Sequence, residues 1–108
     1  MGLWLFCVET VCLDPEREEE FNRWYDEIHI PDVLKGCPEF LACRRYKLLT
    51  PAGKGSGAYL TEIEIETDDI DKTLRTHRQN SERIRASGRW TDLIQVVSRK
   101  LYRLDRTL

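Results

Sequence analysis

Tyr59-Leu60-Thr61-Glu62-Ile63-Glu64-Ile65-Glu66 alternates cleanly, with Tyr59, Thr61, Ile63 and Ile65 set against Leu60, Glu62, Glu64 and Glu66. Side chains leave a strand on alternate faces, so this period of two predicts a strand with one polar side. Upstream, Thr50 to Gly57 holds one proline, three glycines and a serine, a hairpin loop too short to be a domain linker. Before that loop, Pro38 opens a strand over Phe40 to Leu49, with Phe40, Ala42, Arg44, Tyr46 and Leu48 expected on one face and Leu41, Cys43, Arg45 and Lys47 on the other. Downstream, Asp68 or Asp69 caps a helix carrying Ile70, Leu74, His77, Ser81 and Ile84, which Ser87-Gly88 ends. A long last strand, Leu93 to Leu104, finishes in basic residues.

The N-terminal third repeats the logic. Leu3-Trp4-Leu5-Phe6-Cys7-Val8 is a continuous apolar run, suited to a strand buried on both faces. Asp14-Pro15-Glu16 reads as a helix start, with an N-cap, a proline at the first helical position and acids in the first turn. Phe21, Trp24, Tyr25 and Ile28 then recur at three- and four-residue steps, an amphipathic stripe. Pro31 lacks an amide hydrogen and is expected to break or kink this helix, which resumes over Asp32 to Lys35 and stops at Gly36.

The order is βαββαβ, which predicts a ferredoxin-like α+β domain: a four-stranded antiparallel sheet with both helices on one face. The other face, carrying residues such as Tyr46 or Ile63, is left bare. A second copy is the expected cover, giving a C2 homodimer with two sheets face to face.

The 108 residues fit one domain, 1–108, with no room for a second core. A net charge of −2, from 17 basic and 19 acidic residues, argues against nucleic-acid and anionic-membrane partners, both of which call for a basic excess. The apolar start is about ten residues long and has no basic flank, so it reads as neither signal peptide nor membrane span, and a cytoplasmic location is expected. Cys7, Cys12, Cys37 and Cys43 form no CxxC pair and no zinc pattern with His29 or His77, and are expected to be reduced packing thiols.

Glu20-Phe21-Asn22-Arg23-Trp24-Tyr25-Asp26-Glu27-Ile28-His29-Ile30-Pro31 is more particular. It resembles the EthD-like branch of the dimeric α/β-barrel superfamily, with its Trp-Tyr…His-x-Pro signature on the first helix. The similarity continues through Gly36-Cys37-Pro38-Glu39-Phe40-Leu41-Ala42-Cys43-Arg44-Arg45-Tyr46, although Glu39 stands where the family usually shows glycine. The resemblance implies a dimer with a pocket between sheet and helices or inside the barrel. It also implies chemistry on small organic molecules, mostly without metals: lactone isomerisation, ring closure, dehydration or cofactor-free oxygenation. Neither a cofactor nor a metal is expected.

His29 is the leading catalytic candidate, since it shares a helical face with Tyr25 and Phe21 and its near-neutral pKa suits proton transfer. The bland alternative is a bracket for the Pro31 bend. Asp26 and Asp32 each lie three residues from His29 and either can orient its ring. Tyr25 is either a hydroxyl donor to a substrate oxygen or core. Trp24 is packing or pocket lining, and Asn22 reads as surface polar. Of Arg44 and Arg45, one is expected to pair with Glu62 or Glu64 and the other to bind a substrate carboxylate; Arg44, on a face with Tyr46, takes the anchor role, and Asp32 joins the ligand-binding set. His77 raises a haem or monooxygenase reading, against which its flanks Arg75, Arg78, Gln79 and Asn80 read as a solvated face. The leading expectation is therefore a cofactor-independent isomerase, cyclase or dehydratase acting on a small apolar carbonyl compound. The alternative is a non-catalytic homodimer that binds a hydrophobic metabolite.

Overall fold

A computed structural model of the chain describes residues 2–108. Four strands, β1 (Gly2–Cys12), β2 (Phe40–Leu49), β3 (Gly55–Thr67) and β4 (Ile94–Arg103), form one antiparallel sheet in the order β2-β3-β1-β4. Helical segments α1 (Glu18–Trp24), α2 (Ile30–Lys35) and α3 (Ile70–Ala86) complete the βαββαβ order. The fold is ferredoxin-like, as the βαββαβ order predicts.

Asp14 caps the first helical turn by accepting a bond from the Glu16 amide at 3.0 Å, with Pro15 at its first position. Pro31 does not break the helix. Instead the chain widens by one residue into a π-turn at Tyr25–His29, where the Ile30 amide reaches back to the Tyr25 carbonyl, and α2 follows without interruption. A proline leaves the carbonyl four residues before it without a helical donor, and a π-turn just upstream is one way to absorb that loss. Gly36 ends α2 at φ −87°, so left-handed backbone is not what requires glycine there. A Cβ at Gly36 would run into the Asn80 side-chain amide of α3, so close approach is the requirement. Asp69, not Asp68, caps α3 by accepting from the Lys72 amide at 3.0 Å.

Tyr59, Thr61, Ile63 and Ile65 all turn toward the helices and are buried. Ile63 therefore belongs to the core and not to the bare face. Phe6, Val33, Cys37, Phe40, Ile65 and Ile84 pack around it, while Phe21, Trp24, Tyr25, Tyr59, Cys12 and Leu93 form a second cluster. Phe21 is wholly enclosed, a burial worth about 1.5–3 kcal/mol. The opposite face exposes Leu3, Tyr46, Leu48 and Tyr102, with an ion pair of Arg44 to Glu64 at 2.9 Å among them.

Two register shifts alter the expected sidedness. One lies between Phe40 and Ala42 on β2, and the other sets Thr10 opposite Val96 but Glu9 opposite Ser98 on β4. An extra residue in one strand of a pair reverses the faces beyond it. Phe40 therefore points to the helices while Ala42 and Arg44 point away, correcting the strict alternation expected for β2. The strand β1 is covered on one face only within this chain, with Leu3 46% exposed. No helix among the described residues is long and apolar enough to cross a membrane.

Candidate functional site

Side chains from both core clusters wall a cleft of about 470 Å³ between the sheet and the helices. Phe6, Val8, Thr61 and Ile63 form its floor, and Ile94 and Val96 extend it along β4. Tyr25, His29 and Val33 supply one wall, and Leu74, His77 and Ser81 supply the other from α3. The volume lies in the usual range of about 300–1,000 Å³ for small-molecule sites.

His29 stands in a box of aromatic rings. Trp24 stacks on it at 4.8 Å between centroids and 11° between planes, while Tyr25 and Trp90 meet it edge-on at 5.2 and 5.3 Å. The π-turn sets this arrangement, since it carries Tyr25 and His29 on its first and last residues. Burial, then the nearby His77, pushes the His29 pKa down to about 4; the Asp32 charge opposes the fall, while Arg85 and Arg45 add to it. The ring is therefore neutral at pH 7, and a weaker base than the near-neutral imidazole expected from the sequence. Its Nδ1 is shut off from solvent with no hydrogen-bond partner, so exchange with a bound molecule falls to Nε2.

Tyr25 is buried and receives a hydrogen bond from the Thr61 hydroxyl at 2.8 Å. Two hydroxyl protons serve one mutual bond, which leaves one free to be donated into the cleft that both residues line. Burial raises the Tyr25 pKa, and the Thr61 bond and the Arg45 charge only partly offset it, so the phenol keeps its proton. Thr61 is a hydroxyl on the buried side of a cleanly alternating strand. That signal was present in the sequence.

Trp24 is part of the site as a stacking wall, and its Nε1 donates to the Arg89 carbonyl at 2.8 Å. Asp32 does not touch His29. It holds Arg89 with two bonds, Nε to Oδ2 at 2.7 Å and Nη2 to Oδ1 at 3.2 Å, which keeps its carboxyl below the usual range. These contacts fasten the loop after α3 and set Trp90 against His29. Asp32 is thus a positioning residue on the outside of the cleft. Asp26 pairs with Arg45 instead of the imidazole.

Arg44 and Tyr46 are not brought to the cleft. Arg44 lies on the far face of the sheet, bound to Glu64 and within 3.9 Å of Glu62. Tyr46, its neighbour on that face, is 46% exposed. The arginine on the helix side is Arg45, whose guanidinium lies 4.1 Å from the Tyr25 ring centre and 4.5 Å from that of Tyr59. Its Nη1 donates to Asn22 and Asp26, and Asn22 in turn donates to the Tyr59 hydroxyl at 3.1 Å. Asn22 is therefore a buttress of the site and not plain surface.

His77 is turned inward, not solvated. Phe6 and Phe40 contact its ring at 5.5 and 5.3 Å, its Nδ1 is buried without a partner, and burial together with Arg99 lowers its pKa. It continues the stripe of Ile70, Leu74, Ser81 and Ile84, whose spacing outweighs the polar residues around it. The four cysteines are free thiols; burial is the leading cause that lifts Cys37 to about 12 and Cys43 to about 11. Among the described residues no group of three or more His, Cys, Asp or Glu is placed to hold a metal ion.

No family model and no curated protein matches the chain. Solved structures do. A putative antibiotic biosynthesis monooxygenase from Bordetella bronchiseptica superposes with a TM-score of 0.62 over 100% of both chains, at 11% identity. The chain has the ferredoxin-like fold. An ethyl tert-butyl ether D (EthD) family protein from Bacillus halodurans C-125 matches with a TM-score of 0.56 at 14% identity, over 94% of this chain and 96% of that one. An EthD protein thus stands among its structural neighbours, in keeping with the motif from Trp24 to Pro31. A dimeric ferredoxin-like protein of unknown function from Thermobifida fusca YX matches with a TM-score of 0.53 at 10% identity, over 96% and 92% of the two chains.

Proposed function

We propose that the chain is a cofactor-independent enzyme of EthD-like type that binds a small, largely apolar carbonyl compound in this cleft and catalyses isomerisation, cyclisation or dehydration. The observation that carries the reading is a neutral histidine, boxed by three aromatic rings, on the wall of a cleft that also holds a free hydroxyl proton at Tyr25–Thr61. His29 takes a proton from the carbon beside the carbonyl. The C–H electron pair becomes the new carbon–carbon double bond, the carbonyl π pair moves to oxygen, and the Tyr25 hydroxyl stabilises the resulting enolate. Return of the proton at another carbon completes an isomerisation, and its departure with a hydroxyl group as water completes a dehydration.

The test is uptake of solvent deuterium beside the carbonyl, followed by NMR across cyclic ketones, lactones and unsaturated keto compounds. His29→Gln is expected to slow exchange by about 10²-fold or more. Exchange at the parent rate in that variant would remove His29 as the base. The packing of His29 among rings favours a second reading, a non-catalytic dimer that binds a hydrophobic metabolite, with His29 as bracket. A large fall in Tm with unchanged ligand affinity in His29→Gln supports it. His77 facing the cleft motivates a haem or monooxygenase reading, whose haem form a haemin titration without a Soret shift would eliminate.

The assembly proposed for either use is a homodimer through the bare sheet face. Leu3, Tyr46, Leu48 and Tyr102 are an apolar surface that a second copy would bury, and one structural neighbour is described as dimeric. Light scattering at micromolar concentration should give twice the chain mass, and a clean monomer would refute it.

A further inference from the structure

The mouth of the cleft is as informative as its interior. Arg78, Arg85 and Arg99 line it together with Glu82, three cations against one anion, in a chain whose net charge is −2. The arginines elsewhere that touch the core or brace a loop are committed: Arg44 to Glu64, Arg45 to Asp26, and Arg89 to Asp32. Arg85 lies over the Trp90 ring at 4.5 Å, which fixes its guanidinium beside the aromatic box. Arg99 has no ion-pair partner among the described residues. The β4 register shift turns it to the cleft side, opposite Val8, and its charge is felt at both Tyr25 and His77.

We propose that the molecule bound in the cleft is a small apolar acid, with its carboxylate held at the mouth by Arg99 and its second oxygen directed inward to Tyr25 and His29. The anchor role expected of Arg44 thus falls to Arg99. The inference rests on the reading of the cleft as a ligand site, and it adds the chemical class of the ligand. An apolar floor of Phe6, Val8, Ile63 and Val96 takes the hydrocarbon body. The neutral histidines add no charge inside, so the carboxylate is drawn to the rim, where a guanidinium can bind it through two parallel bonds. A partly wet rim also spares the ligand's charge the cost of full burial.

The test compares 3-phenylpropanoate with 3-phenylpropanamide, the same skeleton without the charge, by titration of the tryptophan indole N–H resonances of the full chain. The acid is expected to bind about tenfold more tightly than the amide, an advantage that shrinks as salt is raised. Arg99→Gln should abolish the preference, with the loss falling mainly on the acid, and Arg99→Lys should restore part of it. An acid preference that survives Arg99→Gln overturns the anchor. Equal binding of acid and amide to the parent protein overturns the ligand class but leaves the cleft reading intact. If neither compound moves the Trp24 and Trp90 resonances at millimolar concentration, the cleft reading falls and the anchor with it.

Discussion

Acid should destabilise this protein through His29 by an amount that can be isolated. The imidazole has an ordinary pKa of 6.5 when free and about 4 in the fold, chiefly through burial. Between those values the unfolded chain binds a proton that the folded chain refuses, so stability is complete above about pH 6.5 and falls as pH drops. Linkage gives a loss of about 1.4 kcal/mol at pH 5.5 and about 3 kcal/mol at pH 4, a large share of the about 5–15 kcal/mol that holds a domain together. Carboxylates in ion pairs also weaken in acid, so the parent protein alone does not isolate the histidine. His29→Phe does, because it keeps an aromatic ring against Trp24 and cannot titrate. Urea unfolding followed by circular dichroism, at fixed protomer concentration, is run at pH 7.5, 5.5 and 4 for both proteins. The parent should lose about 3 kcal/mol more than the variant between the extremes. Parallel pH profiles would refute the claim that burial holds His29 neutral, and with it the electrostatic basis of the proposed site.

Arg45 and its partner Asp26 should behave unequally. Arg45→Met removes a buried guanidinium between two tyrosine rings and should cost about 1–3 kcal/mol, whereas Asp26→Asn, at an exposed carboxylate, should cost less than about 1 kcal/mol in the same urea assay. Gly36→Ala should lower stability by about 1–3 kcal/mol through collision with Asn80, and adding Asn80→Ala should relieve part of that loss; strictly additive effects would exclude the steric cause. Cys37 and Cys43 should react with Ellman's reagent at pH 8 far more slowly than in urea-unfolded chain, because a thiol with a pKa near 11 is only about one part in a thousand thiolate there. Prompt labelling of either in the native protein would show that its surroundings are more open than the packing implies.

What the sequence discloses is whatever depends on short-range periodicity. Tyr59–Glu66 has one register and one buried side, and the structure keeps both. The Asp14-Pro15 start and the α3 stripe through His77 are likewise local patterns, and His77 faces inward as its spacing, and not its polar neighbours, dictates. Distant partnerships are hidden. Asp32 lies three residues from His29, but its carboxylate is claimed by Arg89, 57 positions along the chain. Trp90 reaches His29 because that same bond and the Trp24 indole fasten its loop, and no pattern near Trp90 declares this. Pro31 announces a disturbance in the helix, yet the choice between a break and a π-turn depends on what the helix packs against.

The sidedness of the two arginines, Arg45 and Arg99, follows from a shared device. Strands β2 and β4 are the edges of the sheet, and each carries a one-residue shift of register against its inner neighbour, at Phe40/Ala42 on β2 and opposite Glu9/Thr10 on β4, while β2 has a second irregularity farther along between Lys47 and Leu49. Under strict alternation from Phe40, Arg44 would face the helices and Arg45 would be paired outside. Under strict alternation from Val96, Ser98 and Lys100 would face the cleft, and Arg99 would be outside. Each shift exchanges these pairs at the cost of one interrupted rung in an edge ladder, where disruption is least expensive. The displaced partners are still useful: Arg44 meets Glu62 and Glu64, and Lys100 and Ser98 meet Glu9, all on the open face. These two shifts therefore serve two surfaces at once, placing cations beside the aromatic cluster on one side and matched charges on the exposed face of the sheet. A single inserted residue in β4 is a small change in sequence, but it decides that Arg99, with its planar fork of donors, and not Lys100 faces the cleft.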